Sequence, residues 1–195
     1  MPRKDINGND FAHHSDFPVN PQVRNIEFAA GKAFFGKREF PNCFLTDITI
    51  PQVDHFMQHP ADYELQDCHY LDERCDYLTV QTNGRTFDNV IFCNPIMIGF
   101  RGKFETKYFL EKVHDLLADN GTVIVLGSST NVWSKFSNLQ RYYGKLKEEN
   151  DLDYDFEFEL QVVDANHPYR QNHTFYRSNL SDTAVPNQLI HIKKA

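Results

Sequence analysis

Three positions in the chain combine a polar side chain with the end of an apolar stretch. They are Glu27, Asp47 and the pair Asn94-Pro95. Glu27 leads into the small-residue turn Phe28-Ala29-Ala30-Gly31-Lys32-Ala33, and Asp47 follows Cys43-Phe44-Leu45-Thr46. Small residues let a backbone approach a ligand, and an acid at a strand end can accept hydrogen bonds from ribose hydroxyls. Together these two ends have the logic of a nucleoside-binding half of an open α/β sheet. Asn94 closes the run Val90, Ile91, Phe92, Cys93, a continuous apolar stretch that suits a strand buried on both faces. Pro95 stops it, because proline cannot donate to a sheet ladder and restricts the residue before it. Ligands in such sheets sit beyond the carboxyl ends of the strands, so Asn94 is expected at the mouth of a pocket.

Metal chemistry has less support. Cys43, Cys68, Cys75 and Cys93 show no Cys-x-x-Cys spacing, and Cys68-His69 with Cys75 lacks the paired ligands of a structural zinc site. We expect buried, unreactive thiols and no metal. His13-His14 lies in a polar lead-in and reads as solvated.

The elements that must position these residues follow a strand–helix alternation. Val23, Ile26 and Phe28 mark a first strand, residues 34–40 a short helix, and Cys43 to Thr46 a second buried strand. Residues 51–60 read as a short helix and 62–65 as a third strand, ahead of Asp67-Cys68. Tyr77 to Val80 reads as an extra strand or hairpin arm, with Asn83-Gly84 as a turn. After the Asn94 strand, residues 96–106 form a loop over the site. A helix over 107–119 carries Phe109, Leu110, Val113, Leu116 and Leu117, with Asn120-Gly121 as its stop. A buried strand over 122–126 precedes a second long helix, 131–149, with Val132, Trp133, Phe136, Leu139, Tyr143 and Leu146 facing inwards. Phe156, Phe158, Leu160 and Val162 then alternate with polar residues, the period of a half-exposed strand. His167-Pro168-Tyr169 turns the chain, and residues 174–176 and 189–192 are further strand candidates.

The chain has 195 residues, is 41% hydrophobic and 14% aromatic, and carries a net charge of −7, which describes a globular protein with enough length for a core. The acidic balance argues against a phosphate-binding surface. No apolar run reaches the ~20 residues of a membrane span, and residues 1–14 lack a signal-peptide core. We therefore expect a cytoplasmic protein with no membrane partner, an irregular lead-in over 1–22 and a single domain over 23–195.

In this order the pieces resemble the class I S-adenosylmethionine-dependent methyltransferases. The resemblance rests on the loop Glu27-Phe28-Ala29-Ala30-Gly31-Lys32-Ala33, the acids Asp47 and Asp67 after the second and third strands, and the strand ending in Asn94-Pro95. Two of the three usual loop glycines are Ala29 and Ala33, and Ile96 replaces the second proline of the family's Asn-Pro-Pro-Tyr form. It implies an α/β, Rossmann-like seven-stranded, mostly parallel sheet, with helices on both faces and an antiparallel C-terminal strand pair. It also implies S-adenosylmethionine as cofactor. Glu27, Ala29 and Gly31 would hold the loop, Asp47 the ribose, and Asp67 with Cys68 or His69 the adenine. Asn94 and Pro95 would be catalytic: the Asn side-chain oxygen and the Pro carbonyl accept hydrogen bonds from a target amine and aim its lone pair. Phe100, Phe104, Tyr108, His167, Tyr169 and His173 would lie near the acceptor.

The implied function is methyl transfer to a nitrogen or oxygen of a small molecule or protein. A second reading is a catalytically inactive methyltransferase-like binding or scaffold subunit acting with a partner subunit; Ala29, Ala33 and Ile96 favour it. A third is a nucleic-acid amino-group methylase that flips its base into the site. It needs a basic rim, which Lys32, Lys37, Arg38, Arg101, Lys103 and Lys107 would supply. A nicotinamide-dependent reductase is a rival at the level of fold alone.

Overall fold

The computed structural model describes residues 22–30, 35–47, 73–74, 77, 80, 84–172 and 185–195. They build one mixed sheet whose strands are β1 (Asn25–Phe28), β2 (Cys43–Asp47), β3 (Glu73–Arg74), β4 (Phe87–Cys93), β5 (Leu117–Gly127), β6 (Phe156–Val162) and β7 (Gln188–Lys194). Six have four or more residues; β3 is a two-residue rung on β2. The order is β3-β2-β1-β4-β5-β7-β6. The strands from β3 to β5 are parallel, and β7 and β6 close the sheet antiparallel. The helices are α1 (Phe35–Glu39), α2 (Lys103–Leu116), α3 (Phe136–Glu148) and α4 (Pro168–Asn172).

Strand alternation explains why both faces are covered. On β4, Val90 and Phe92 point to one face and Ile91 and Cys93 to the other; on β5, Val123 and Val125 oppose Ile124 and Leu126. The first face packs on Phe109, Leu110, Val113 and Leu116 of α2 and on Leu139 and Leu146 of α3. The second packs on Phe35 of α1. A strand buried on both sides needs no polar alternation, and this is why the central strands read as unbroken apolar runs.

The chain leaves β1 towards β2 on one side and β4 towards β5 on the other, so β1 and β4 flank the point where the strand order reverses. Ligands of open α/β sheets bind at such a point, outside the carboxyl ends. Beneath it lies an aromatic cluster. Phe28 and Phe92 stack at 5.9 Å, Tyr77 meets both edge-on at 5.1 Å, and Phe109 lies 5.0 Å from Phe92. The Tyr77 hydroxyl donates to the Phe109 carbonyl at 3.1 Å, which satisfies the one polar atom of the cluster.

Several elements begin or end elsewhere than periodicity predicts. α2 starts at Lys103 rather than 107; in its first six residues only Thr106 is buried, so apolar spacing gives no signal there. It ends at Leu116, and Asn120-Gly121 is no helix stop. Leu117 already pairs with Phe87, and the next pair is Asn89 with Thr122, so residues 118–121 bulge within β5. Gly121 is required there, since a Cβ would stand 2.8 Å from the Phe87 carbonyl oxygen. α3 begins at Phe136, not 131, so Val132 and Trp133 precede the helix, and Val132 is exposed. His167-Pro168-Tyr169 enters the short helix α4 rather than a simple turn. The strand beside β2 is Glu73–Arg74. The strands expected at 62–65 and 174–176 and the helix at 51–60 lie outside the described residues, as do residues 1–21 of the lead-in.

Candidate functional site

Glu27 is fully buried, although its carboxyl is a charged type that ordinarily stays in water. It lies on the α1 face of β1. Its Oε2 accepts the Gly36 N–H at 2.6 Å, and among the described residues Oε1 has no hydrogen-bond partner. A Cβ on Gly36 would stand 2.6 Å from Cys43 Sγ and 2.8 Å from Glu27 Oε2, so glycine lets α1 press onto the carboxyl. Burial raises the Glu27 carboxyl to about 8, opposed by the Gly36 N–H and reinforced by Asp47. A carboxyl without full hydrogen bonding keeps its proton when removed from water. The Cys93 thiol is itself pushed well up by burial and by Glu27. Cys93 and Cys43 are both buried and outside any disulfide. Neither has the electropositive exposure that makes a cysteine reactive.

The turn after β1 is held by β2. Thr46 Oγ1 donates to the Glu27 carbonyl at 2.9 Å, and the Ala30 N–H donates to the Thr46 carbonyl at 3.0 Å. Ala29 has φ +54°, a left-handed conformation that glycine adopts without cost and alanine does not. Glu27 pairs with Leu45 on β2 and Ile91 on β4, so Asp47 and Cys93 each stand two residues further along. Asp47, Ala29 and Asn94 therefore all reach the carboxyl edge of three adjacent strands.

Asn94 turns the chain sharply. Its φ is +48°, tolerated by asparagine, and its N–H donates to the Leu126 carbonyl at 2.7 Å. Its side-chain oxygen is buried beside Gly127. The next residue is fastened to the loop after β5, where Asn131 Nδ2 donates to the Pro95 carbonyl at 3.0 Å. Asn131 Oδ1 accepts the Trp133 N–H at 3.0 Å, and the Trp133 carbonyl accepts the Phe100 N–H at 2.8 Å. Gly99, at φ +127°, has no room for a side chain: a Cβ would fall 1.9 Å from the Trp133 carbonyl oxygen. Arg101 lies over the Trp133 ring at 4.8 Å. Asn131 is the residue that sequence reasoning missed, by assigning it to a helix. The Ser128-Ser129-Thr130-Asn131 run was the available signal, since asparagine in such runs bonds its own backbone two residues on.

The expected acceptor residues do not come together. Phe100 is fully buried and meets Phe109 edge-on at 5.1 Å, so it supports the loop from beneath. Phe104 and Tyr108 are exposed on α2, on the same side of the sheet. Tyr169 packs on Phe35 of α1 at 4.8 Å, on the opposite side, and its hydroxyl is raised by burial and by Glu39. His167 Nδ1 accepts the Tyr169 N–H at 3.2 Å. Gly31, Lys32, Ala33, Asp67, Cys68, His69, Cys75 and His173 lie outside the described residues; Asp67 and Cys68 precede the strand paired with β2. Among the described residues no group of three or more His, Cys, Asp or Glu could hold a metal, and no helix is long and apolar enough to cross a membrane.

No protein-family model matches the sequence, and no curated protein matches it. Solved structures do match. The 30S ribosomal A1408 methyltransferase from an uncultured bacterium aligns with a TM-score of 0.51 at 9% identity, over 89% of this chain and 88% of that one. The N-methyltransferase NodS from Bradyrhizobium japonicum WM9 aligns at 0.47 and 12% identity, over 88% and 85%. The first of these likenesses shows the fold, an α/β Rossmann-like methyltransferase fold.

Proposed function

We propose that the chain is an S-adenosylmethionine-dependent methyltransferase acting on a nitrogen or oxygen acceptor. One observation carries the reading: the adjacent parallel strands β2, β1 and β4 end in Asp47, Glu27-Phe28-Ala29 and Asn94 on both sides of the point where the strand order reverses. The buried Glu27 Oε1, orphaned among the described residues, lies beside this turn and fits a site where the loop closes on a ligand. Asp47 would hold the ribose hydroxyls, and Glu27 would fix the loop through Gly36 while Ala29 and Gly31 bring its backbone close. Asp67 and Cys68 would flank the adenine.

Held by Asp47 and the turn after β1, the cofactor would supply an electrophilic methyl group on sulfur to a nitrogen lone pair. The protein's part is orientation. The Pro95 carbonyl would accept a hydrogen bond from the acceptor amine and hold its lone pair on line, and Asn94, whose Oδ1 is buried beside Gly127, would act by shaping the turn that presents it. A carbonyl oxygen has two lone pairs, so Pro95 can serve Asn131 and an acceptor together. Phe100 would act by supporting the loop and Tyr108 would stand on the acceptor's side of the sheet, whereas Tyr169, packed on α1, and His167, bonded to it, lie on the other side. We place this activity in the cytoplasm, where thiols outside disulfides, such as those of Cys43 and Cys93, persist.

A second reading is a methyltransferase-like scaffold subunit without catalysis. One observation favours it: the strained backbone of Ala29 in the loop that would hold the cofactor. Calorimetric titration with S-adenosylmethionine and S-adenosylhomocysteine, with Asp47→Ala beside the intact protein, separates these readings. Micromolar binding that collapses in Asp47→Ala supports the enzyme. No binding by the folded, intact protein sinks it in favour of the scaffold.

A further inference from the structure

We infer that the acceptor is presented by a protein segment that lays apolar side chains on Ile96, Met97, Phe104 and Val132; this rests on the methyltransferase reading above. Ile96 is 60%, Met97 63%, Phe104 77% and Val132 46% exposed. All four stand on the two loops and the first turn of α2 that border the Asn94-Pro95 turn. Their exposure does not come from a loose backbone. The Asn94 N–H, the Pro95 carbonyl, the Phe100 N–H and Gly99 are each fixed against residues of β5 or the loop after it. A fixed, exposed group of large apolar side chains marks a surface built to be covered.

Charge decides against a nucleic acid. Three cations beside this surface are already matched with acids, and Lys135, before α3, has no acid partner among the described residues. Arg101 pairs with Glu105 at 2.7 Å, Lys103 with Glu149 and with Asp151 at 3.0 Å, and Lys107 with Asp151 at 2.6 Å and Glu111 at 3.8 Å. Phosphates would find three of these four cations neutralised, whereas nucleic-acid affinity comes mainly from several unpaired Lys and Arg. Shape decides against a small molecule. Small-molecule sites are concave and bury their lining, while these four side chains project into solvent. Methionine and phenylalanine, both present here as Met97 and Phe104, are residue types enriched where proteins meet.

The test uses the full chain and S-adenosylmethionine labelled in its methyl group. Two sets of probes are offered at low and high salt: peptides carrying one amine-bearing residue with apolar or with acidic flanks, and total RNA and duplex DNA. Met97→Asp, Phe104→Asp and a remote control, Val162→Asp on β6, are compared, each with its S-adenosylhomocysteine affinity. The expected result is salt-insensitive labelling of the apolar-flanked peptides. It falls at least tenfold in Met97→Asp and Phe104→Asp and stays level in Val162→Asp, with cofactor affinity equal throughout. Labelling of RNA or DNA with a steep salt dependence overturns the inference. So does peptide labelling indifferent to Met97 and Phe104, or cofactor binding with no peptide labelled. Absence of cofactor binding by the intact protein overturns the methyltransferase reading as well, which distinguishes the two failures.

Discussion

Asn131 Nδ2 donates a hydrogen bond to the Pro95 carbonyl at 3.0 Å, and this contact joins the ends of two parallel strands. Its other side-chain atom, Oδ1, holds the Trp133 N–H, so one amide satisfies two backbone groups from separate loops.

Asn131→Ala removes both bonds and leaves half-buried backbone groups to find new partners. The cost is expected at about 1–3 kcal/mol, read as a lower denaturant midpoint with an unchanged slope. Amide hydrogen exchange of residues 96–100 should accelerate more than that of the β6 amides. Equal acceleration everywhere would mean that Asn131 adds only global stability.

Glu27 predicts a pH dependence whose sign is fixed by its raised carboxyl. Its ordinary value is 4.5 and its folded value about 8. Between these values the native state holds a proton that the unfolded chain has lost, so stability is full below about pH 4.5 and declines as pH rises through about 8. The slope is on the order of 1 kcal/mol per pH unit. The groups facing Glu27 are Asp47 and Cys43 on β2, Cys93 on β4 and the Gly36 N–H on α1. Glu27→Gln keeps an acceptor for Gly36 and has no proton to lose, so its stability should be flat over that window. A slope unchanged by the substitution would assign the effect to another group.

Two glycines should respond in opposite directions to alanine. At Gly99 the left-handed φ and the Trp133 carbonyl both exclude a Cβ, so Gly99→Ala should cost more than about 2 kcal/mol or detach the loop. At Gly144, inside α3, a methyl group would point into open space, with no neighbouring atom within 4 Å. Gly144→Ala should stabilise the protein by about 0.5–1 kcal/mol. Thermal midpoints of the two variants, measured side by side, check the contrast.

The sheet was legible where burial writes a signal into side-chain type. The apolar runs at residues 90–93 and 43–46 and the alternation from Phe156 to Val162 each correspond to a strand. The first turn of α2 was hidden because Phe104 and Tyr108 face solvent, which gives no apolar period. The start of α3 was misread because Val132 and Trp133 fall at helical spacing while Asn131 and Ser128 form a turn by hydrogen bonds that spacing does not encode. The third strand escaped because two residues carry no period at all. At the site, the strand-end positions of Glu27, Asp47 and Asn94 were readable. What sequence did not reveal is which face each aromatic takes: Phe100 belongs to the α2 side and Tyr169 to the α1 side, a matter of topology rather than composition.

The turn after β4 is fastened chiefly through main-chain atoms, at the Asn94 N–H, the Pro95 carbonyl and the Phe100 N–H. Main-chain bonds survive changes of side chain. Ile96 can therefore be exchanged by successive mutations while the scaffold beneath it stays put, whereas Met97, at φ +66°, excludes β-branched replacements; within that limit selection can retune what this rim accepts without refolding the protein. The β1 end lacks that freedom at its own turn, because its geometry depends on Glu27 and Gly36, as the β4 end depends on Asn131 and Gly99 rather than on Ile96. Variation among descendants of this chain should accumulate at Ile96 and stall at Glu27, Gly36, Gly99 and Asn131.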